Sequence, residues 1–491
     1  MAFAVARFLW SNGLEEEEKY GKENSGSVVW MKEEVETASG LGRDNIMGTL
    51  PVNRLLLTMA WPMVFSMFIQ GCYNIVDSIF VSYVSQDAFI ALSLVYPVQL
   101  LLISVNVGIG VGINALLSRR LGERRYAEAN DVAAHGYVIY LSFGLLFAVA
   151  GLLFARPFME LYSENQTVIE YGTIYLHIIM VFAFGVCLQF AGERMMQATG
   201  NPIWNMYIQA SGAIVNLILD PILIFGWFGL PTMGITGAAV ATVIGQCVGS
   251  LIGIYLVTKK VKQIHLSLRH FRPKLSIIGP IFRVGAPAIV VQSLSTFMSL
   301  GLNKIFSGYS EIYVAVLGAY FKIQSFVYMV VFGLGNAVVP IISFNFGARS
   351  RRRVDGTIRA AMITALISMC AGMVLLLAVP GLLLGLFNME PAAVTLGIPA
   401  LRIVSLSFMA AGASLVFSYA FQATNSNSFS LLLALLRQII VLLPLAAALA
   451  RVSPDLSWWA FPITEWGCCV LAVILFRHAH KKRIAPLEEL L

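Results

Sequence analysis

The chain has 491 residues, of which 58% are hydrophobic and only 12% are charged, and its mean hydropathy is +0.78. Soluble domains carry about 25% charged residues, so this composition excludes an ordinary water-soluble enzyme and indicates a polytopic membrane protein. The net charge of +7 comes from basic residues in short loops between apolar runs. That pattern orients membrane proteins, so no nucleic-acid partner is expected.

Residues 1–46 mix acidic and basic clusters with Gly and Ser, which predicts a mobile cytoplasmic tail. The rest divides into a first six-helix lobe over 47–258, a basic cytoplasmic linker over 259–275, a second six-helix lobe over 276–480 and a cytoplasmic tail over 481–491. Each lobe contains six apolar segments long enough to cross a bilayer as helices. The twelve predicted spans are residues 54–81, 89–118, 131–154, 170–193, 203–228, 234–258, 276–304, 313–343, 357–380, 394–420, 429–451 and 457–478.

Arginine and lysine concentrate in alternate loops, after the second, sixth, eighth and twelfth spans. Cytoplasmic loops carry the excess of these residues, so both termini are predicted to be cytoplasmic.

The two halves repeat at a constant offset of 225 residues. Six spans per half is an even number, so the halves should be related by an axis along the membrane normal, as in transporters that alternate access around a central site. Among the matched pairs are Pro62 and Pro287, Gly108 and Gly333, Gly110 and Gly335, Gly122 and Gly347, and Gln197-Ala198-Thr199 and Gln422-Ala423-Thr424.

Asp77 is the only formal charge between Arg54 and Asp87. An intramembrane carboxylate costs roughly 2.5–3.5 kcal/mol on insertion scales and normally marks an ion or substrate path. Asn74 lies three residues earlier and therefore on the same helix face. The alternative is that Asp77 lies high enough in its helix to reach headgroup water.

A second polar pair, Asn216 and Asp220, stacks on one face of the fifth span. The following Pro221 frees a backbone carbonyl, as does Pro62 in the first span. This lobe can therefore hold a proton, Na⁺ or an organic cation. The alternative for Asn216 and Asp220 is a structural hydrogen-bond cluster that joins two helices.

The second half lacks these acids. Leu302, Val441 and Leu445 stand at the positions that correspond to Asp77, Asn216 and Asp220, which favours a functional role for the acidic set. The second half has its own charges in apolar segments. Lys304, Arg402 and Arg437 are expected to anchor helix ends. Lys322 and Glu465 either pair with each other or take part in a switch. In the first half, Glu193 and Arg194 are expected to form an interfacial pair.

The chain resembles bacterial members of the multidrug and toxic compound extrusion (MATE) family, in the MOP flippase superfamily, from residue 47 to about 480. No Walker motif or His-Glu-x-x-His is present, so ATP coupling and zinc chemistry lack support. The resemblance rests on Ala60-Trp61-Pro62-Met63, Tyr73 to Asp77, Gly108 to Gly112, Leu117 to Glu123, Gln197 to Pro202, Asn216 to Phe225 and Pro340 to Ala348.

The resemblance implies twelve helices in two six-helix lobes and export of cationic, amphipathic compounds in exchange for H⁺ or Na⁺. It assigns ion coupling to Asp77, Asn216 and Asp220, with Na⁺ as the one metal ion that this set could take. A threonine of the sixth helix often joins the set. Thr236 and Thr242 are both candidates, and Thr236 is preferred.

The cavity for the organic cation is expected to include Gln70, Tyr73, Asn74 and Lys322, and helix bending is expected at Pro62, Pro221 and Pro287. Some relatives place acids in the seventh and tenth helices, where this chain has Lys304 and Arg402, so a cation site in the second lobe is not expected. No cofactor is expected, and the protein should be a monomer in the plasma membrane.

Two other functions are compatible with the sequence. A lipid-linked oligosaccharide flippase of the same superfamily would use basic residues in its cavity, and the second lobe offers several. A channel or a structural membrane protein would not cycle between states, and the two-lobe repeat argues against it.

Overall fold

In the computed structural model, residues 45–264, 266, 271–387 and 389–487 are described. Within them the chain forms twelve helical spans, which confirms the predicted all-α architecture of two six-helix bundles. The spans, numbered α1 to α12, are Val52–Ser82, Gln86–Gly122, Tyr126–Tyr162, Gln166–Val181 with Ala183–Ala198, Pro202–Phe225, Ile235–Lys260, Leu275–Ser307, Glu311–Gly347, Arg351–Ala378, Pro391–Ser405 with Phe408–Ala423, Asn427–Val452 and Pro454–Ile484.

Parts of the predicted domain scheme fall outside the described residues. Of the tail over 1–46, only the last two residues are described. Residues 265 and 267–270 of the linker and the last four residues of the chain also lie outside the described residues. Several spans are longer than predicted, and α2 covers Gln86–Gly122 instead of 89–118. Hydropathy detects the apolar middle of a span, whereas the helix continues through its polar ends.

Two spans each consist of two helices that meet at a sharp bend, and both of these bends lie away from the three prolines at which bending was expected. α4 and α10 each bend by 46°, at Phe182 and at the dipeptide 406–407. Helices α1, α5 and α7 run as continuous α-helix through Pro62, Pro221 and Pro287. The two observed bends are related by the 225-residue offset, so the bending belongs to the repeat.

The first lobe (α1–α6) and the second lobe (α7–α12) meet through glycines that obey the same repeat. A Cβ on Gly108 of α2 would lie 2.3 Å from Ile289 Cγ1 of α7, and a Cβ on Gly333 of α8 would lie 2.7 Å from Val64 Cα of α1. Gly333 is the repeat partner of Gly108, and Ile289 is the repeat partner of Val64. These are therefore two copies of one contact, related by a pseudo-two-fold axis between the lobes.

A second pair of glycine contacts is related in the same way. A Cβ on Gly122 would lie 2.0 Å from the Phe344 carbonyl oxygen, and a Cβ on Gly347 would lie 2.3 Å from the Arg119 carbonyl oxygen. We call these four contacts the glycine seam. The seam lies toward one end of the molecule, where α2 and α8 end; we call this the basic end, because arginines follow both helices.

Candidate functional site

The predicted acidic site lies where α1, α5 and α6 pack together in the first lobe. Glycines bring α5 and α6 close, since a Cβ on Gly245 would lie 2.6 Å from the Gly212 carbonyl oxygen and 3.1 Å from Asn216 Cβ. One turn earlier on α5, Gln209 Nε2 donates to Gln70 Oε1 of α1 at 3.1 Å. Small residues at helix crossings allow this close backbone approach in membranes, and here they place the side chains of α6 against Asn216.

Asn216, Asp220 and Thr242 form one buried polar cluster. Asn216 Nδ2 donates to Asp220 Oδ1 at 3.1 Å and to Thr242 Oγ1 at 3.4 Å. Asp220 is 0% exposed, and the other two side chains are 4% exposed or less. The i, i+4 spacing thus produces the contact expected from the sequence.

Asp77 joins this cluster from α1. It is 8% exposed and close enough to Asp220 for the two charges to interact. Tyr73, one helical turn before Asp77, lies near both carboxylates and near Thr242. From α4, Tyr175 also faces both acids, and it accepts a hydrogen bond from Gln99 Nε2 at 3.2 Å. Asp77 is therefore buried beside the polar groups of the first lobe.

The carboxylates are incompletely satisfied. Among the described residues, Asp77 Oδ1 and Asp220 Oδ2 are buried and have no hydrogen-bond partner, and neither acid forms an ion pair with Lys, Arg or His. An isolated buried carboxylate is very costly, and two neighbouring carboxylates repel each other. Such a pocket is chemically suited to take up a proton or a small cation, whose positive charge removes both costs.

The remaining predicted residues are placed differently. The side chain of Asn74 lies outside what the structure describes, and Gln70 hydrogen-bonds to α5 beside the cluster. Thr242, and not the preferred Thr236, contacts Asn216; Thr236 lies in the first turn of α6. Lys322 is exposed on α8, with Nζ 5.7 Å from the centre of the Phe387 ring.

The second lobe has a largely buried ion pair between its last two spans. Arg437 of α11 donates from Nε and Nη2 to Glu465 Oε1 of α12, at 3.1 and 2.8 Å. The two side chains are 11% and 14% exposed, respectively. Arg437 therefore does not have the expected role of anchoring a helix end, and Glu465 pairs with Arg437 instead of with Lys322, which was one of the two alternatives for Lys322 and Glu465. The helix pair α11–α12 repeats α5–α6, but Arg437 and Glu465 correspond to Gly212 and Val240 at the 225-residue offset, so the ion pair and the acidic cluster occupy different positions of the repeat.

Glu193 and Arg194 do not form the expected interfacial pair. They are 5% and 3% exposed, and Glu193 Oε1 accepts from Gln189 Nε2 at 3.1 Å. Arg194 Nη1 donates to Gln197 Oε1 at 2.7 Å and reaches Asn336 Oδ1 of the second lobe at 3.3 Å. The sequence did not predict this network, because the position of Glu193 and Arg194 at the end of a span does not show which residues of the opposite lobe they contact.

Comparisons with known proteins agree with this architecture. The multidrug export protein MepA of Staphylococcus haemolyticus (strain JCSC1435) is 26% identical over 423 residues, which cover 86% of this chain and 92% of that protein. MepA of Staphylococcus aureus (strain bovine RF122 / ET3-1) is 25% identical over 435 residues, 88% of this chain and 95% of that protein.

Solved structures share the fold. A MOP superfamily transporter from Pyrococcus furiosus Vc1 (DSM3638) superposes with a TM-score of 0.82 at 22% identity, over 95% of this chain and 99% of the other. An outward-facing multidrug resistance MATE family transporter also superposes with a TM-score of 0.82 at 22% identity, over 91% of this chain and 97% of the other.

The sequence model of the MatE family matches residues 62–222 and again residues 287–447. The two matches are offset by 225 residues (287 − 62), the spacing of the internal repeat. Because they cover both lobes, the chain belongs to the MatE family.

Proposed function

We propose that this protein is a secondary active exporter of cationic, amphipathic compounds, and that an influx of H⁺ or Na⁺ at Asp77 and Asp220 drives it. The observation that carries the proposal is the buried pair of carboxylates with unsatisfied oxygens and no basic partner among the described residues. The MepA relatives are named as multidrug export proteins, which supports the export of drugs.

The pocket offers ligands for either coupling ion. A proton bound to Asp77 or Asp220 would remove the repulsion between them. Na⁺ would instead bind carboxylate, amide and hydroxyl oxygens, for which Asp77, Asp220, Asn216 and Thr242 provide the atoms. The same negative charge attracts an organic cation, so ion and cargo compete for it. That competition is the physical basis of exchange.

The exchange needs two states with different affinities, because an ion shifts an equilibrium only by its differential binding. In the present state the glycine seam joins the lobes at the basic end. We assign the basic end to the cytoplasm and both termini to that side of the plasma membrane, from the distribution of Arg and Lys. In this orientation the seam closes the cytoplasmic side, and the pocket takes its ion from outside. Each monomer would work alone.

The test is gradient-driven export from proteoliposomes that contain the full chain, with pH and Na⁺ gradients imposed separately. Asp77→Asn and Asp220→Asn should each abolish gradient-driven transport, because an amide cannot take up the proton or neutralise Na⁺. Asp87→Asn is the matched control, since this half-buried acid lies in the first turn of α2, outside the cluster, and accepts a hydrogen bond from Asn165 Nδ2 at 3.2 Å. Full export by both pocket variants would refute the assignment.

The same assay identifies the ion, because only one of the two gradients should support export if the site is selective. Drug-resistance assays alongside lipid-precursor complementation separate export of drugs from the flippase function that the sequence also allowed.

A further inference from the structure

A cleft at the basic end has no role in the coupling scheme above. It has a volume of about 470 Å³ and is formed by both lobes together with the chain end after α12. The first lobe provides Arg119, Glu123 and Arg125, and the second lobe provides Arg349 and Arg483. Four guanidinium groups and one carboxylate give the lining a formal charge of +3 (4 − 1).

Two described carboxylates pair with arginines here, Glu123 in the lining and Glu128 beside it, which pairs with Arg125 Nη2 and with Arg120 Nε at 3.2 Å, and they do not neutralise the whole cluster. Glu123 already accepts from Arg119 Nε at 3.1 Å and from Arg120 Nη1 at 2.6 Å, and its Oε2 lies 3.6 Å from Arg125 Nη1. Each guanidinium has five N–H donors, so most of these donors remain available. The geometry therefore leaves several positive donors facing a common space.

Arg349 is the least explained of the four arginines. It has a φ of 57°, in the left-handed region that favours glycine, and its side chain has no ion pair or hydrogen bond with another described residue. Its repeat partner Arg124 has a φ of 59° but does not line the cleft. The left-handed backbone therefore belongs to the repeated turn, and what distinguishes Arg349 is that its charge lines the cleft without a partner among the described residues.

The other lining residues indicate which kind of anion the cleft would bind. Arg483 is fixed by its Nη1 hydrogen bond to the Thr424 carbonyl oxygen at 2.9 Å, and the Arg119 guanidinium lies 5.0 Å from the centre of the Phe346 ring. Phe346 and Leu487 add apolar surface beside the charges. Arginine forks match the oxygens of a phosphate group, and the cleft lies where the spans end, at the level expected for lipid headgroups.

We propose that this cleft binds a phosphate group, which an anionic phospholipid headgroup or free phosphate in the adjoining solution can supply. The bound phosphate contacts arginines of both lobes and relieves their mutual repulsion. It therefore stabilises the state in which the glycine seam is closed, since a ligand that binds one state favours that state.

The test measures phosphate binding by the purified full-length protein and does not depend on export. Melting temperature is recorded in detergent with increasing inorganic phosphate, against chloride at matched ionic strength. Lipid binding is recorded by native mass spectrometry after reconstitution in nanodiscs of phosphatidylcholine with 20–30% phosphatidylglycerol, about one anionic lipid in four. Wild-type protein and Arg124→Gln should show saturable binding, and Arg349→Gln should bind at least about tenfold more weakly, a loss of one charge-assisted contact.

A response to phosphatidylglycerol alone identifies the lipid as the source, a response to inorganic phosphate alone identifies the soluble ion, and a response to both supports the shared chemistry. Arg349→Gly separates binding from folding. Glycine fits the left-handed backbone, so this variant should melt at a higher temperature than wild type without phosphate and yet lose the phosphate response. Absence of saturable binding to either probe, or equal binding by Arg349→Gln and Arg124→Gln, would overturn the proposal.

Discussion

The glycine seam predicts that a single methyl group will shift the balance between the two states of the transporter. In Gly108→Ala, the new Cβ would lie 2.8 Å from Ile289 Cα and 2.6 Å from its backbone nitrogen. Contacting carbon atoms normally lie about 3.5–4.0 Å apart, so the lobes would have to separate by about 1 Å at this point. The obstructing atoms are backbone and cannot rotate away.

The size of the effect follows from the cost of overpacking, which is typically about 1–3 kcal/mol. Only the state with a closed basic end incurs this cost, because the contact joins different lobes. At about 1.4 kcal/mol per tenfold change, the ratio of closed to open molecules should fall about 5- to 150-fold. Gly333→Ala should give the same shift, since its Cβ would lie 2.7 Å from the backbone nitrogen and Cα of Val64.

The assay is a distance measurement between spin labels at Lys259 and Arg477, exposed positions near the ends of α6 and α12. Gly318→Ala is the matched control, because a Cβ there has no described atom within 4 Å. Both variants gain about 1 kcal/mol of helix propensity from the Gly→Ala change, so the comparison isolates the effect of the contact between the lobes. If Gly108→Ala and Gly318→Ala give the same distance distribution, the seam does not set the balance between states.

Three further predictions concern the polar groups. Thr242→Val should weaken binding of the coupling ion about fivefold, which corresponds to the loss of one hydrogen bond of about 1 kcal/mol. Thr236→Val should leave the affinity for the ion unchanged. The ion concentration that gives half-maximal transport is measured by titration for both variants. Arg437→Met should lower the free energy of unfolding by about 3–5 kcal/mol, because it leaves the Glu465 carboxylate buried without its partner. The double variant Arg437→Met/Glu465→Leu should recover much of this loss. Thermal melts measure both variants, and equal melting temperatures for the single and the double variant would contradict the pairing. Gly245→Ala should separate α5 from α6 and reduce ion affinity at least as much as Thr242→Val, which the same titration measures.

The sequence alone determined the number of helices, their division into two lobes and the three residues at the centre of the site. Inside a bilayer a single segment satisfies its backbone hydrogen bonds only as a helix, so each long apolar run in the sequence indicates one helical span. The contact between Asn216 and Asp220 could be predicted because residues four apart share a helix face. The 225-residue offset predicted the two-lobe symmetry, which the paired contacts of Gly108 and Gly333 then display.

Only the tertiary structure decided which side chains from different helices meet. Both threonines of α6 were candidates and Thr236 was preferred, but the close packing of α5 and α6 at their glycines brings Thr242 to Asn216. Likewise, Arg437 meets Glu465 across 28 residues of sequence. Such pairings depend on the rotation of one helix about its axis relative to another, which packing fixes and neither hydropathy nor spacing along one helix records.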